Sequence, residues 1–348
     1  MIKRRTKDSA KDVVETISRT KKEIPQIADS YVSIDSDTLL VSTGSTLLDL
    51  AICGGRVRGG GIPGGIMVEI FGPSAAGKTA ILTEIAAAVQ SKKGDVFFID
   101  PEARIDKEYS KIYGFEMTKE NYHRPDTVTE TFQLLEDWNP SNDKVINVFA
   151  ADSIAALSTD MEMGDGDIRG QRKAKELSAG CRKTARIIAH NNKLVLFTNQ
   201  ERDGEFGKTT PGGHAIPYHC SLRLRVTRKG RIEKTKKLAS GKAIKKTVGI
   251  ESEVLVKKST VDDEYRTAQL FIIFGVGIDD VRANLQYVKD MEKLTKYWCV
   301  EEEYVSMDKA IAYIEANNHE GALRERVIDI WEEVEAKFHT NRKQKVRH

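Results

Sequence analysis

An α/β protein with a mostly parallel sheet and helices on both faces is what this sequence predicts. Three observations lead there. Between residues 66 and 200, apolar strand-like runs alternate with stretches of helical periodicity. The runs are continuously apolar, as strands covered on both faces are. A glycine-rich turn joins the first of these runs directly to the helix that follows it.

Each element can be taken in order. Residues 8–28 carry Val13, Val14, Ile17 and Ile24 at roughly helical spacing, and YVSID (31–35) alternates like a strand. This unit, 1–40, precedes the main body and reads as an arm. IMVEIFG (66–72) is the first buried strand, followed by a helix over Thr79–Ser91. DVFFID (95–100), VINVFAAD (145–152) and KLVLFT (193–198) are further strands, with helices over Thr127–Trp138 and near Lys173–Asn191 between them. SLRLRV (221–226), ESEVLVKK (251–258) and AQLFIIFG (268–275) are expected as antiparallel additions. The core thus spans 41–279. From about Asp280 the pattern turns helical, giving a small α-rich domain over 280–338 that includes the amphipathic stretch Met307–Asn317. A basic tail, 339–348, ends the chain.

The chain has 348 residues, 40% of them hydrophobic, enough for one large core and a small second one. No stretch is long and apolar enough for a membrane helix, and the basic N-terminus lacks the apolar core of a secretory signal. Cys53, Cys181, Cys220 and Cys299 form no CxxC pair, so reduced thiols in a cytoplasmic setting are expected, without a zinc site. Net charge is only +3, but it is unevenly spread. Residues 228–246 hold nine Lys or Arg against one Glu, and the last ten residues hold four Lys or Arg and no acid. Such runs are most often solvated surface. They also suit a protein that binds a polyanion.

GPSAAGKT (72–79) matches G-x-x-x-x-G-K-[ST] between a strand and a helix, which is the context that motif requires. Gly72, Pro73, Ser74, Ala75, Ala76 and Gly77 form a loop whose backbone N–H groups can surround phosphate oxygens, aided by the helix N-terminus. Lys78 reaches the β and γ phosphates, and the Thr79 hydroxyl can ligate Mg²⁺. Asp152, at the end of VINVFAAD, fits the acid that holds the magnesium water shell; the alternative is an N-cap on the following turn, and the apolar strand before it favours the magnesium reading. Glu102, just past the second strand, falls at the carboxyl edge of a parallel sheet, beside the phosphate site.

One loop asks for a ligand. TNQERDGEFGKTTPGG (198–213) follows a core strand, yet holds three acids, two bases, four glycines and one proline. It reads either as a surface connection or as a segment ordered by what it binds.

STGSTLLDLAI (42–52), GGIMVEIFGPSAAGKT (64–79), FFIDPEARIDKEY (97–109), DSIAAL (152–157), TNQ…TTPGG…SLRL and GVGIDD (275–280) together resemble the bacterial and phage RecA recombinase family, in its order and near its spacing. The resemblance implies a RecA-like P-loop ATPase core using ATP and Mg²⁺. It implies helical filaments on single-stranded DNA, and homologous pairing with double-stranded DNA as second substrate. Glu102 falls at the family's catalytic glutamate. Asp106 and Tyr109 fall where the family holds adenine, although plain helix packing also explains Tyr109. Gln200 matches the residue that senses the γ-phosphate, and Lys258 one that reaches the neighbouring subunit's ATP. Thr260 stands where a second lysine is usual, with Lys257 beside Lys258 instead, and Tyr218 stands at an aromatic coupling position.

By the same resemblance, 158–176 and 198–213 are the two DNA-binding loops. Arg169, Arg172, Lys173, Lys175, Ser178 and Arg182 belong to or follow the first. Arg202, Phe206, Lys208, Gly212 and Gly213 belong to the second. Phe206 either stacks between bases or pins the loop. The acidic tail usual in bacterial members is replaced by a basic one. A ring helicase on the same fold, or a DNA-coating protein with weak turnover, would share the P-loop; the arm, the TTPGG loop and the C-terminal match favour the recombinase.

Overall fold

The first described elements are a short strand, β1 (Leu40–Val41), helix α1 (Thr46–Cys53) and β2 (Ile62–Pro63), which pairs antiparallel with β1. Ser45 starts α1 by accepting a hydrogen bond from the Leu48 N–H. The computed structural model describes residues 39–159, 169–190, 192–204, 207–213 and 215–338. The arm expected over 1–40 therefore lies outside the described residues except at its last two positions, and the basic tail lies outside them entirely.

The main body follows the predicted alternation. Its elements are β3 (Met67–Gly72), α2 (Lys78–Ser91), β4 (Val96–Ile99), α3 (Lys107–Ile112), β5 (Tyr122–His123), α4 (Val128–Asp137), β6 (Asn147–Ala151), α5 (Arg169–His190) and β7 (Lys193–Gln200). A small hairpin, β8 (Arg202–Gly204) and β9 (Gly207–Thr209), and a short helix, α6 (Ala215–His219), lead to three longer strands, β10 (Leu222–Lys237), β11 (Ala243–Ser259) and β12 (Thr267–Ile273). After β13 (Gly277–Ile278) come α7 (Asp280–Met291), the hairpin β14 (Tyr297–Cys299) and β15 (Glu302–Tyr304), α8 (Met307–Ala316) and α9 (Glu320–Phe338).

Nine strands form one sheet in the order β13-β12-β11-β10-β3-β7-β6-β4-β5. From β10 to β5 every neighbouring pair is parallel; β11, β12 and β13 add antiparallel. Alternate residues of the parallel strands face opposite ways. Met67, Phe149, Val195 and Phe197 pack with Phe132 and Leu135 of α4 and Leu177, Cys181 and Ile188 of α5. Gly180 admits this contact, because a Cβ there would lie 2.3 Å from the Phe132 ring. The buried apolar side of α2, from Ile81 to Val89, packs against β3, β4, β6 and β7.

One expectation is corrected. β10 is not an antiparallel addition to the parallel core: Leu222–Arg225 pair parallel with Val68–Phe71. The reason is where the chain re-enters. Residues 201–221 carry it back to the start of β3, where the Ser221 N–H donates to the Met67 carbonyl at 2.9 Å. β10 and β11 also run far beyond the predicted strands. The basic segment is itself strand, an exposed two-stranded ribbon closing at Lys237 and Ala243. Its ladder satisfies the backbone while the lysines stay in water.

The helices after 280 are fastened to the body by polar contacts. Asp280 accepts from the Thr46 N–H and hydroxyl, both at 2.7 Å. Arg266 pairs with Glu335 and lies over the Trp331 ring. Arg58 pairs with Glu325, Asp329 and Glu332. Among the described residues no helix is long and apolar enough to cross a membrane, and all four cysteines are free and buried.

Candidate active site and nucleic-acid interface

The carboxyl ends of β3, β6 and β7 open into a cavity of about 630 Å³ beside β12 and α3. Ser74–Thr79, Tyr109, Asp152 and Gln200 line it, so the expected phosphate loop, metal acid, ring and sensor do meet in one place. Gly72 opens the loop with φ 152°, and Gly77 closes it with φ 101°. A Cβ at Gly72 would sit 2.1 Å from the Val226 carbonyl oxygen, so β10 holds the loop closely from the side. Ser252 of β11 steadies its far end by donating to the Ala76 carbonyl at 2.9 Å.

Lys78 is largely buried, and its amine donates to the Gly72 and Pro73 carbonyls at 3.0 and 2.8 Å. Burial pushes its pKa down, Asp152 pulls it up and Arg104 pushes it down again. Asp152 is 6% exposed and accepts from the Thr79 hydroxyl at 2.6 Å and from the Thr198 hydroxyl. A hydroxyl and a buried carboxylate at a phosphate loop are the hard oxygen donors magnesium prefers. Among the described residues no larger metal-ligating cluster occurs, and a magnesium nucleotide needs none, since phosphate and water supply most of its ligands. Thr79 and Asp152 therefore fit Mg²⁺.

The remaining candidates are placed as follows. Glu102 does not line the cavity itself; it forms an ion pair with Arg104, which does. Asp106 is exposed and caps α3, accepting from the Tyr109 N–H at 2.7 Å. Its visible task is to set the helix that carries Tyr109. Tyr109 shares a hydrogen bond of 3.0 Å with the Tyr113 hydroxyl, and burial raises the pKa of both phenols. Lys258 lies away from the cavity, donating to the Pro217 and Tyr218 carbonyls at the end of α6. Tyr218 is 78% exposed beside it.

Sequence reasoning missed Arg104, Tyr113, Arg228 and Phe274, all on the cavity wall. Arg104 was within reach, two residues after Glu102 in PEARID. Arg228 arrives from β10 and Phe274 from the turn after β12, and only the pairing register brings them to the loop.

Gln200 ends β7 directly opposite Gly72 in the ladder. Its N–H donates to the Asn199 side-chain oxygen at 3.0 Å, and the Asn199 amide donates to Glu69 at 2.9 Å and to the Pro211 carbonyl at 3.0 Å. Glu69 is fully buried and paired with Arg223 at 2.6 Å. One network thus joins the phosphate-loop strand, Gln200 and the TTPGG turn. Gly212 and Gly213 have positive φ and lie against α5, where a Cβ on Gly212 would come within 2.7 Å of Leu177.

The second loop carries strand pairing that the sequence reading did not place there. Arg202–Gly204 pair with Gly207–Thr209 as a hairpin, which satisfies its backbone locally. The first loop differs too, since α5 begins at Arg169, not near Lys173. Lys173 donates to the Ala155 and Leu157 carbonyls at 2.7 and 2.5 Å, a structural task beside its expected phosphate contact. Lys175 and Arg182 are exposed on α5 and Ser178 and Arg172 partly so; Arg202 is exposed on β8. Arg169 and Lys208 are fixed here only as backbone positions, and Phe206 lies outside the described residues.

A phosphate loop on a parallel sheet, with an acid at a neighbouring strand end and Gln200 beside it, defines a P-loop nucleotide-binding protein. The profile of the RecA N-terminal domain matches residues 13–279. The RecA protein of a Synechocystis strain is 32% identical over 292 residues, covering 80% of this chain and 77% of its own. That of Gloeothece citriformis is 30% identical over 303 residues, covering 83% and 80%. That of Thermus thermophilus is 34% identical over 251 residues, covering 70% and 69%. The chain belongs to the RecA family, whose recombinases serve DNA recombination and repair.

Proposed function

We propose that this chain is an ATP-hydrolysing recombinase that assembles as a helical filament on single-stranded DNA and pairs that strand with a homologous duplex. The observation that carries the reading is the buried link from Gly72 and Gln200 through Asn199 to Pro211, which ties a nucleotide cavity to the turn at Gly212 and Gly213. ATP binds with its phosphates in the Gly72–Thr79 loop, where Lys78 offsets charge on the β and γ oxygens. Thr79 and Asp152 hold magnesium, which when bound screens the same oxygens. Glu102 accepts a proton from water as the water oxygen bonds to the γ-phosphorus and the bond to the ADP oxygen breaks. Tyr109 and Phe274 flank the base. Gln200 reports the terminal phosphate to the TTPGG turn through Asn199.

The DNA-facing parts are α5, with Arg172, Lys175, Ser178 and Arg182, and the hairpin and turn from Arg202 to Gly213. Backbone approach at the two glycines suits contact with phosphodiesters of any sequence. The 1–40 arm docks on the next subunit, and Lys258 acts on the neighbour's nucleotide. The basic ribbon contacts the second duplex.

ATP turnover with and without single-stranded DNA, for wild type and Glu102→Gln, tests the reading alongside electron microscopy of the same samples. DNA-stimulated turnover, lost in the variant, with helical filaments in ATP, is expected. Closed rings, or turnover indifferent to DNA, would overturn it.

A further inference from the structure

We propose that Arg104 is a nucleotide-sensing residue that exchanges the Glu102 carboxylate for the terminal phosphate of a bound nucleoside triphosphate. The inference rests on the reading of the cavity as an ATP site and deepens it.

Arg104 lines the same cavity as the phosphate loop and Gln200. It is also the ion-pair partner of Glu102. A left-handed Ala103, at φ 52°, turns the chain between the two and lets side chains two residues apart meet. Their exposures are unequal: the Glu102 side chain is 18% exposed and that of Arg104 57%. The carboxylate is thus held in a fixed place while the guanidinium reaches into the open cavity with donors to spare.

The ion pair sets the guanidinium against Glu102 Oε2, a buried oxygen with no hydrogen-bond partner among the described residues, so a water must displace Arg104 to reach it. A terminal phosphate carries more charge and matches the guanidinium fork in a bidentate way, so it is the stronger partner. When it arrives, Arg104 turns to it, and Glu102 is free to take the proton of the attacking water. A diphosphate lacks that group and leaves the pair intact. Arg104 thereby discriminates triphosphate from diphosphate and withholds Glu102 until a triphosphate is present. Arg104 is a positioning residue for Glu102 and a binding residue for the phosphate.

The test titrates the full chain with fluorescent ADP and with a non-hydrolysable ATP analogue, both with magnesium. It compares wild type, Arg104→Ala, Arg104→Lys and Glu102→Gln, and circular dichroism checks the fold of each. In Arg104→Ala, affinity for the analogue should fall by about tenfold and that for ADP by less than about twofold. Arg104→Lys should lie between. Glu102→Gln, which releases Arg104, should bind the analogue more tightly than wild type and ADP no differently. DNA-independent turnover of Arg104→Ala should show a raised KM with kcat no higher than wild type, since a saturating triphosphate already frees Glu102 in wild type. Equal losses for both nucleotides, no loss for either, or no gain in Glu102→Gln would overturn the exchange while leaving the ATP site intact. Wild type that binds neither nucleotide, or Lys78→Ala that binds both normally, would remove the underlying ATP reading and this inference with it.

Discussion

Gly72 and Asn199 show how much of the site depends on single positions. Gly72 is the one residue type that allows both φ 152° and the approach of the Val226 carbonyl. Gly72→Ala should abolish nucleotide binding and lower stability by about 2 kcal/mol or more, read by nucleotide titration and thermal melting. Asn199 is fully buried and holds Gln200, Glu69 and Pro211 together. Asn199→Ala strands buried partners at a cost of about 1–3 kcal/mol. Its sharper signature should be functional: nucleotide binding kept, but stimulation of turnover by single-stranded DNA largely lost. Stimulation equal to wild type would mean the link carries no signal. The sequence made the phosphate-loop glycine plain, because the motif is local. It gave Asn199 no separate mark, because the role of that residue comes from contacts 130 and 12 positions away.

At the level of elements, the seam between α2, β13 and α7 carries partly buried acids, and α1 beside α7 carries the buried Asp49. Glu84 of α2 accepts from the Ile278 N–H at 3.1 Å, and burial pushes its pKa up to about 7, with Asp280 adding to the rise. Asp49 is pushed up to about 6 by burial, against hydrogen bonds from Ser42 and Thr43. An acid whose folded pKa exceeds its unfolded value binds its proton more tightly when folded. Its cost is absent below the unfolded pKa and grows as pH rises to the folded one. For Glu84 that window runs from 4.5 to about 7. Glu84→Gln keeps an acceptor for Ile278 without the charge. It should melt higher than wild type at pH 8, by about 1–3 kcal/mol, with the gain shrinking toward pH 5. A pH-independent difference would argue against the burial of charge as its cause. The acids are visible in the sequence, but their burial depends on how β13 meets α2 and α7 meets α1, which periodicity does not encode.

The whole molecule presents its charge unevenly. The ribbon formed by β10 and β11 extends its lysines into water, with Lys234 paired to Asp308 of α8 and Lys245 to Glu233. Register puts Lys234, Lys236 and Lys246 on one face of the ribbon and Lys237 and Lys245 on the other. Replacing Lys234, Lys236, Lys237, Lys242, Lys245 and Lys246 with Ala should weaken duplex binding and flatten its salt dependence. Each lost phosphate contact should remove about 0.9 from the slope of log affinity against log salt. Unchanged duplex affinity and strand exchange would show that the ribbon is only a solvated surface.

By itself, the sequence determined the parallel α/β core, the phosphate loop with Lys78 and Thr79, the acid Asp152 and the family to which these belong. Those features are short in range: apolar runs, a strand-to-helix glycine turn and a motif of eight consecutive residues, 72–79. The tertiary structure alone decided that β10 runs parallel to β3, that the basic segment is a strand ribbon, and that Lys173 holds loop carbonyls. It also decided that Arg104, Arg228 and Phe274 share one cavity. These depend on where a returning chain re-enters a sheet and which side chains then face each other. That is a balance of long-range packing and backbone hydrogen bonding, which no local pattern of residues carries.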